Sequence, residues 1–184
     1  MKVLGIAGSL RAGSYNRELL LAAGELLPAD VELEIWDELK AVPPYDEEDD
    51  VEPAPAAVAG LRAAIAAADA LLFATPEYNA SIPGQLKNAL DWVSRPIATN
   101  PLRNKPVAVV GASTGVFGAV WAQAELRKVL SAIGARVVEG DVAVGQADQR
   151  LGDGGSGLDP GQLDQLREVV WMLVDETVPL RAAA

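Results

Sequence analysis

Apolar positions along the chain fall into short unbroken runs separated by longer periodic stretches. Val3-Leu4-Gly5-Ile6-Ala7, Ala70-Leu71-Leu72-Phe73-Ala74 and Pro106-Val107-Ala108-Val109-Val110-Gly111-Ala112 read as strands covered on both faces, the look of a parallel sheet's centre. Val31 to Trp36 instead alternates apolar and charged residues, which predicts a half-wet strand at a sheet edge. Gly134 to Val138 predicts a helix cap and a fifth strand. Helices are predicted over Asn16 to Leu27, with Leu19, Leu20, Ala23, Leu26 and Leu27 on one face, over Val58 to Ala68, Gly84 to Ser94 and Val120 to Ile133, and from about Gly161 to Val178. Asp159 and Pro160 supply a capping acid and a first-turn proline for the last of these. The stretch from Gly152 to Gly157 reads as a surface connector.

Strands alternating with helices imply an α/β fold: a doubly wound five-stranded parallel sheet with helices on both faces. An edge-like second strand beside a buried first fits the order 2-1-3-4-5. No repeat or linker divides the chain, so a single domain over residues 1–184 is expected. In this topology ligands gather at the carboxyl ends of strands one, three and four, around the switch point.

The loops after those three strands are also the chemically unusual ones. Loop one, Gly8-Ser9-Leu10-Arg11-Ala12-Gly13-Ser14-Tyr15-Asn16, leads from a strand into a helix N-terminus, where free amides and the helix dipole favour an anion. The hydroxyls of Ser9 and Ser14, the amide of Asn16 and the guanidinium of Arg11 would suit a phosphate. A plain polar turn has the same composition. The spacing matches neither a Walker A loop nor G-x-G-x-x-G, so neither a nucleoside triphosphate nor a Rossmann dinucleotide is implied. Loop three runs from Thr75 to Pro83. Pro76 and Pro83 stiffen it, and Tyr78 and Asn79 offer a ring and an amide to a flat heterocycle. Glu77 reads as a catalytic carboxylate or, preferably, as a structural link. Loop four, Ser113-Thr114-Gly115-Val116-Phe117-Gly118, reads as lacking bulk where the other side of such a ring would pass, and its glycines would let backbone approach the ring closely. A phosphate at loop one and a flat ring between loops three and four describe FMN.

Composition narrows the chemistry. The chain has no histidine and no cysteine, which removes thiolate nucleophiles, most zinc sites and the usual general base, so no metal site is expected. A borrowed cofactor is the natural alternative. A formal net charge of −11 argues against nucleic acid. No stretch approaches the roughly 20 apolar residues of a membrane span, and the N-terminus lacks a secretory pattern, so a cytoplasmic protein is expected.

Gly8-Ser9-Leu10-Arg11 with Ser14 and Asn16, Pro76-Glu77-Tyr78-Asn79, Ser81-Ile82-Pro83-Gly84, Leu86-Lys87-Asn88-Ala89 and Asp91-Trp92 resemble the NADPH-dependent FMN reductase family, which includes bacterial quinone, azo and chromate reductases. The acidic loop Pro44-Tyr45-Asp46-Glu47-Glu48-Asp49 and loop four fit the same pattern in the same order, and the resemblance covers about residues 1–145. It implies a flavodoxin-like fold, non-covalent FMN, NADPH or NADH as hydride donor, a small-molecule electron acceptor, ping-pong kinetics and a homodimer or homotetramer. By motif Ser9, Arg11, Ser14 and Asn16 would hold the phosphate, and Tyr15 beside them is also expected to bind the cofactor. Pro76, Glu77, Tyr78 and Asn79 would line the isoalloxazine, and Ser113, Thr114 and Gly115 would close its other edge. No residue is assigned to the 2′-phosphate of NADPH.

A flavodoxin, carrying electrons without oxidising NAD(P)H, shares the fold and acidic charge. Arg11 stands where flavodoxins use a hydroxyl-rich Thr-x-Thr-Gly loop, which favours the reductase. A sensor that keeps the fold without flavin is a third reading. Trp92 and Trp121, on or beside helices three and four, are candidate interface anchors, with the core as the competing location.

Overall fold

The computed structural model describes residues 1–151 and 157–177, so the expected connector lies outside them except for Gly157, as does Val178. Four strands form where the three apolar runs and the alternating segment predict them: β1 (Lys2–Ala7), β2 (Glu32–Ile35), β3 (Ala70–Thr75) and β4 (Pro106–Ala112). All pair in parallel, and the order β2-β1-β3-β4-β5, with β5 at Arg136–Val137, is the 2-1-3-4-5 arrangement. Val3 lies opposite Ala70 and Leu71 opposite Val107, which sets the carboxyl ends of β1, β3 and β4 side by side.

Alternate residues of the buried strands feed two separate cores. Leu4, Ile6, Leu71, Phe73, Val107 and Val109 meet helices α2 (Ala56–Ala67), α3 (Gly84–Val93) and α4 (Val120–Ile133) on one face. Val3, Leu72, Ala74, Ala108 and Val110 meet α1 (Tyr15–Gly24) and α6 (Pro160–Asp175) on the other. α6 begins with a full capping box: the Asp159 carboxylate accepts from the Gln162 amide at 2.9 Å, and the Gln162 side chain accepts in return from the Asp159 amide at 3.2 Å.

Three expectations need correction. α1 stops at Gly24, because Gly24 is a weak helix former and Pro28 excludes Leu27 from the helical region; Leu26 and Leu27 still pack on the core. The fifth edge position is held by two short strands, β5 and β6 (Ala143–Val144), both parallel to β4, so the sheet has six strands among the described residues. A short helix α5 (Ala147–Arg150) follows. Trp92 is fully buried, with its indole Nε1 donating to the Pro43 carbonyl at 2.9 Å, and is no interface anchor.

The split edge has a specific filler. Val138 donates to the Val107 carbonyl at 2.8 Å and Gly111 to the Val142 carbonyl at 2.9 Å, so Val107, Val109 and Gly111 all face this edge. Between them Glu139-Gly140-Asp141 bulges away, with Gly140 at φ +128°. The Arg127 guanidinium on α4 occupies the gap, donating to the Val109 carbonyl at 2.9 Å and to the Gly140 carbonyl, and pairing with Asp141 at 2.9 Å. β6 is thereby returned to β4 beside loop four.

Candidate functional site

Loop one is tied to β3 by the Gly8 amide, which donates to the Ala74 carbonyl at 2.8 Å. Ser14 is the N-cap of α1 and accepts from the Arg17 amide at 3.3 Å, leaving the first-turn amides of Tyr15 and Asn16 without intrahelical acceptors. The Arg11 guanidinium folds over the loop, donating to the Gly13 carbonyl and lying 4.6 Å from the Tyr15 ring. Its backbone amide reaches Ser9 Oγ at 3.4 Å. Asn16 is buried: Nδ2 donates to the Ala112 carbonyl and Oδ1 accepts from the Ala112 amide, both at 2.9 Å. It thus bolts loop one to the end of β4, just past the last β3–β4 pair, Thr75 with Gly111.

Loop three is built around a tight turn. Tyr78 and Ser81 exchange two backbone hydrogen bonds at 3.0 and 3.1 Å, and Asn79 and Ala80 between them have φ +54° and +60°, the signature of a type I′ turn. Asn tolerates that conformation well and Ala poorly. Glu77 turns away from the tip: its Oε2 accepts from the amides of Trp121 at 3.1 Å and Ala122 at 3.2 Å. The N-cap position of α4 itself, Ala119, supplies no side-chain bond, so Glu77 caps α4 across the site and meets its positive end. Ser81 Oγ donates to Glu125 at 2.6 Å and makes a second link between the same elements.

Loop four is held from the β6 side. The Ser113 amide donates to the Val144 carbonyl, the Gln146 amide to Gly115 and the Ala147 amide to Ser113, each at 3.0 Å. The approach is so close that a Cβ on Gly118, at φ +59°, would stand 2.5 Å from the Ala143 carbonyl carbon, and one on Gly145 would stand 2.1 Å from the Val116 oxygen.

The three loops enclose a cavity of about 160 Å³. Ser9, Arg11, Tyr15 and Asn16 from loop one, Pro76, Glu77 and Tyr78 from loop three, and Ser113 and Thr114 from loop four line it with Ala112. Ser14 lies beneath as the α1 cap, Asn79 is at the turn tip and Gly115 faces β6; none of these three is in the lining. A second cavity, about 420 Å³, opens on the other side of loop one against residues 36–40. There Arg17 of α1 reaches Asp37 at 3.3 Å, a hydrogen bond and charge pairing that raise the Arg17 pKa further above its usual value. Among the described residues no group of acidic side chains converges as a metal ion would need.

Motif residues with no evident role in the sequence explain themselves here. On α3, Gln85 donates to the carbonyls of Leu39 and Val42 at 2.8 Å each, Asn88 exchanges hydrogen bonds with Pro43 and Tyr45 at 2.8 and 2.7 Å, and Trp92 packs edge-on against Tyr45 at 5.0 Å. Arg62 on α2 pairs with Asp50 at 2.9 Å. The acidic loop is thus fastened by polar residues spaced at one and two helical turns, a signal that was legible in the spacing of Gln85, Asn88 and Trp92. Beside the cavity Val116, Phe117 and Trp121 stand 74%, 63% and 51% exposed, with the two rings in edge contact at 5.1 Å.

Comparison with known proteins agrees with this geometry. The sequence profile described as NADPH-dependent FMN reductase matches residues 1–149. A Pseudomonas aeruginosa protein named NAD(P)H-dependent FMN reductase is 51% identical over 130 residues, 71% of this chain and 69% of its own length. An Escherichia coli protein named quinone reductase is 37% identical over 169 residues, 90% of this chain and 89% of its own. Among solved structures, the Paracoccus denitrificans flavoenzyme FerB, described as an NAD(P)H:(acceptor) oxidoreductase, superposes with a TM-score of 0.84 at 35% identity and 96% coverage of both chains.

Proposed function

The chain belongs to the NADPH-dependent FMN reductase family, and from that premise we propose that the cavity between loops one, three and four holds FMN, with the phosphate at loop one. The protein is an FMN-dependent NAD(P)H oxidoreductase of the quinone and FMN reductase type. The observation that supports the site is its lining: three loops distant in sequence contribute to one cavity, cationic and amide-rich at one end and flanked by Tyr78 at the other.

The donor set fits the group. Arg11, the Ser9 hydroxyl and the first-turn amides of α1 suit a phosphate dianion. Ser113 and Thr114 present polar edge partners, and the half-exposed Tyr78 leaves one side open. When bound, FMN supplies the two-electron chemistry between NAD(P)H and an acceptor. The residues act by positioning. Glu77 holds α4 against loop three, Asn16 holds loop one against β4, and the type I′ turn fixes Tyr78. With no histidine or cysteine in the chain, the proton that completes acceptor reduction comes from water at the open side.

Quinones are the proposed acceptors, with azo compounds, chromate and free flavin reached through the same open face. The exposed Phe117–Trp121 pair is proposed as the contact of a homodimer or homotetramer. The proposed compartment is the cytoplasm; no described helix is long and apolar enough to cross a membrane.

The test begins with the purified protein, expected to be yellow and to release FMN on denaturation. Anaerobic NADPH or NADH should bleach it and a quinone restore the colour, whereas a flavodoxin would resist direct bleaching. Arg11→Ala should weaken FMN binding by about 1.5–3 kcal/mol while sparing riboflavin, since the lost contact is a charge-assisted bond to phosphate. Equal losses for both flavins by fluorescence titration would remove Arg11 from the phosphate site.

A further inference from the structure

The first turn of α4 is fastened to loop three and to loop four by two different side chains. Glu77 of loop three accepts from the Trp121 and Ala122 amides. In a continuing helix the Ala122 amide would reach back four residues to the Gly118 carbonyl. That carbonyl, at the end of loop four, instead accepts from Nε2 of Gln123 at 3.1 Å in the protein interior. Gly118 and Ala119 make the turn between loop and helix with φ +59° and +64°. Gln123 itself is 1% exposed and does not line the cavity proposed for FMN.

The surroundings of this amide are specific. A Cβ on Gly111 would stand 2.8 Å from Gln123 Nε2 and 2.9 Å from the Thr75 carbonyl oxygen, so β4 carries a glycine where the amide comes closest. Gly111 and Thr75 form the last pair of β3 and β4, and the residues that follow them, Ala112 and Pro76, both line the cavity. The amide thus stands one residue behind the cavity wall, where loops three and four diverge.

As a stabiliser the amide is poor. Gln123 Oε1 is buried and accepts no hydrogen bond among the described residues. A buried amide that satisfies one group and leaves its own oxygen unpaired adds little net stability. What it adds is direction, because it fixes where the Gly118 carbonyl, and loop four with it, stands relative to α4. Resting on the FMN reductase reading, we infer that Gln123 is a positioning residue for the flavin ring. Gln123 holds loop four and Glu77 holds loop three against the same helix turn, and together they set the gap that the ring enters. The phosphate end, at loop one, does not depend on Gln123.

Flavin titration of Gln123→Met, which keeps the side-chain length and loses the donor, tests the inference. FMN and riboflavin should both bind about fivefold more weakly, the usual worth of one neutral hydrogen bond. That equal loss contrasts with Arg11→Ala, which spares riboflavin. Urea unfolding of the flavin-free protein should change little, because the unpaired Oε1 leaves together with the donor. Gln123→Glu at about pH 5.5 keeps a donor, since burial holds its carboxyl protonated, and should bind both flavins within about twofold of the wild type. Wild-type affinity in Gln123→Met, a loss confined to FMN, or an equal loss in Gln123→Glu overturns the inference. So does a flavin loss matched by a fall in the stability of the flavin-free protein. If NAD(P)H still bleaches FMN bound to the wild type, each of those results leaves the reductase reading intact. A wild type that takes up no flavin fails that reading, and the inference with it.

Discussion

Glu77 follows directly on loop three's first proline, yet its carboxylate is spent on the amides of Trp121 and Ala122. A residue used in this way matters by geometry. Removing the cap with Glu77→Ala should cost about 1 kcal/mol of stability in urea unfolding, the usual worth of an N-cap. Glu77→Gln keeps an acceptor oxygen and should leave the rate of bound-flavin reduction by NAD(P)H within a few-fold in stopped-flow mixing. General acid catalysis typically contributes about 10²–10⁴ in rate. A loss of that size with FMN still fully bound would make Glu77 a catalytic acid. Asn16 and Arg11 show the same division of labour within loop one, the first committed to Ala112 and the second lying over the loop where an anion can reach it.

Among the elements, polar residues fasten the divided edge strand and the start of the last helix. Arg127 answers the Val109 carbonyl, a buried acceptor that the bulge at Glu139-Gly140-Asp141 leaves without a strand partner. Arg127→Met should therefore destabilise the protein by about 2–3 kcal/mol in urea unfolding, because a charged hydrogen-bond donor is lost and the carbonyl stays buried. It should also loosen loop four, which β6 supports, and weaken FMN binding beyond what the global loss explains. At α6, the hydrogen bond from the Gln162 amide, helped by Arg150, holds the Asp159 carboxyl below its ordinary range. A depressed folded-state pKa contributes stability that is complete above the unfolded value, near 3.9, and lost as pH falls through the folded value. The stability difference between the wild type and Asp159→Asn, whose asparagine still caps, should shrink on acidification from about pH 6 to about pH 3. A constant difference across that range would show that the charge of Asp159 is idle.

At the scale of the molecule, apolar side chains cluster beside the cavity proposed for FMN. Val116, Phe117 and Trp121 are all more than half exposed, in contrast to the fully buried Trp92. This patch is the surface proposed above for assembly. Light scattering at micromolar concentration should give at least twice the 19.2 kDa chain mass, and Trp121→Glu should lower it towards that of a single chain. A wild-type monomer would defeat the assembly reading and leave the patch as a lip for flat acceptors.

The strand order, both helical layers and the three loops at the carboxyl ends were legible in the sequence. Each is written in local terms: unbroken apolar runs for buried strands, alternation in β2 for an edge, and glycine, serine and proline where the chain turns. The sequence also separated the strongly patterned Val120 to Ile133 helix from its flanks with the observed bounds. What the tertiary structure alone decided depends on partners distant in the chain. Trp92 is buried because Pro43 and Tyr45 come to meet it, whereas the equally apolar Trp121 stands half-exposed with the Phe117 ring against it. The fifth strand divides because Glu139-Gly140-Asp141 cannot continue a ladder and Arg127 is there to fill the gap. Glu77 becomes a cap because α4 arrives beside loop three with its first amides open. Periodicity along a chain records which faces are apolar, and it cannot record which polar groups those faces bring together.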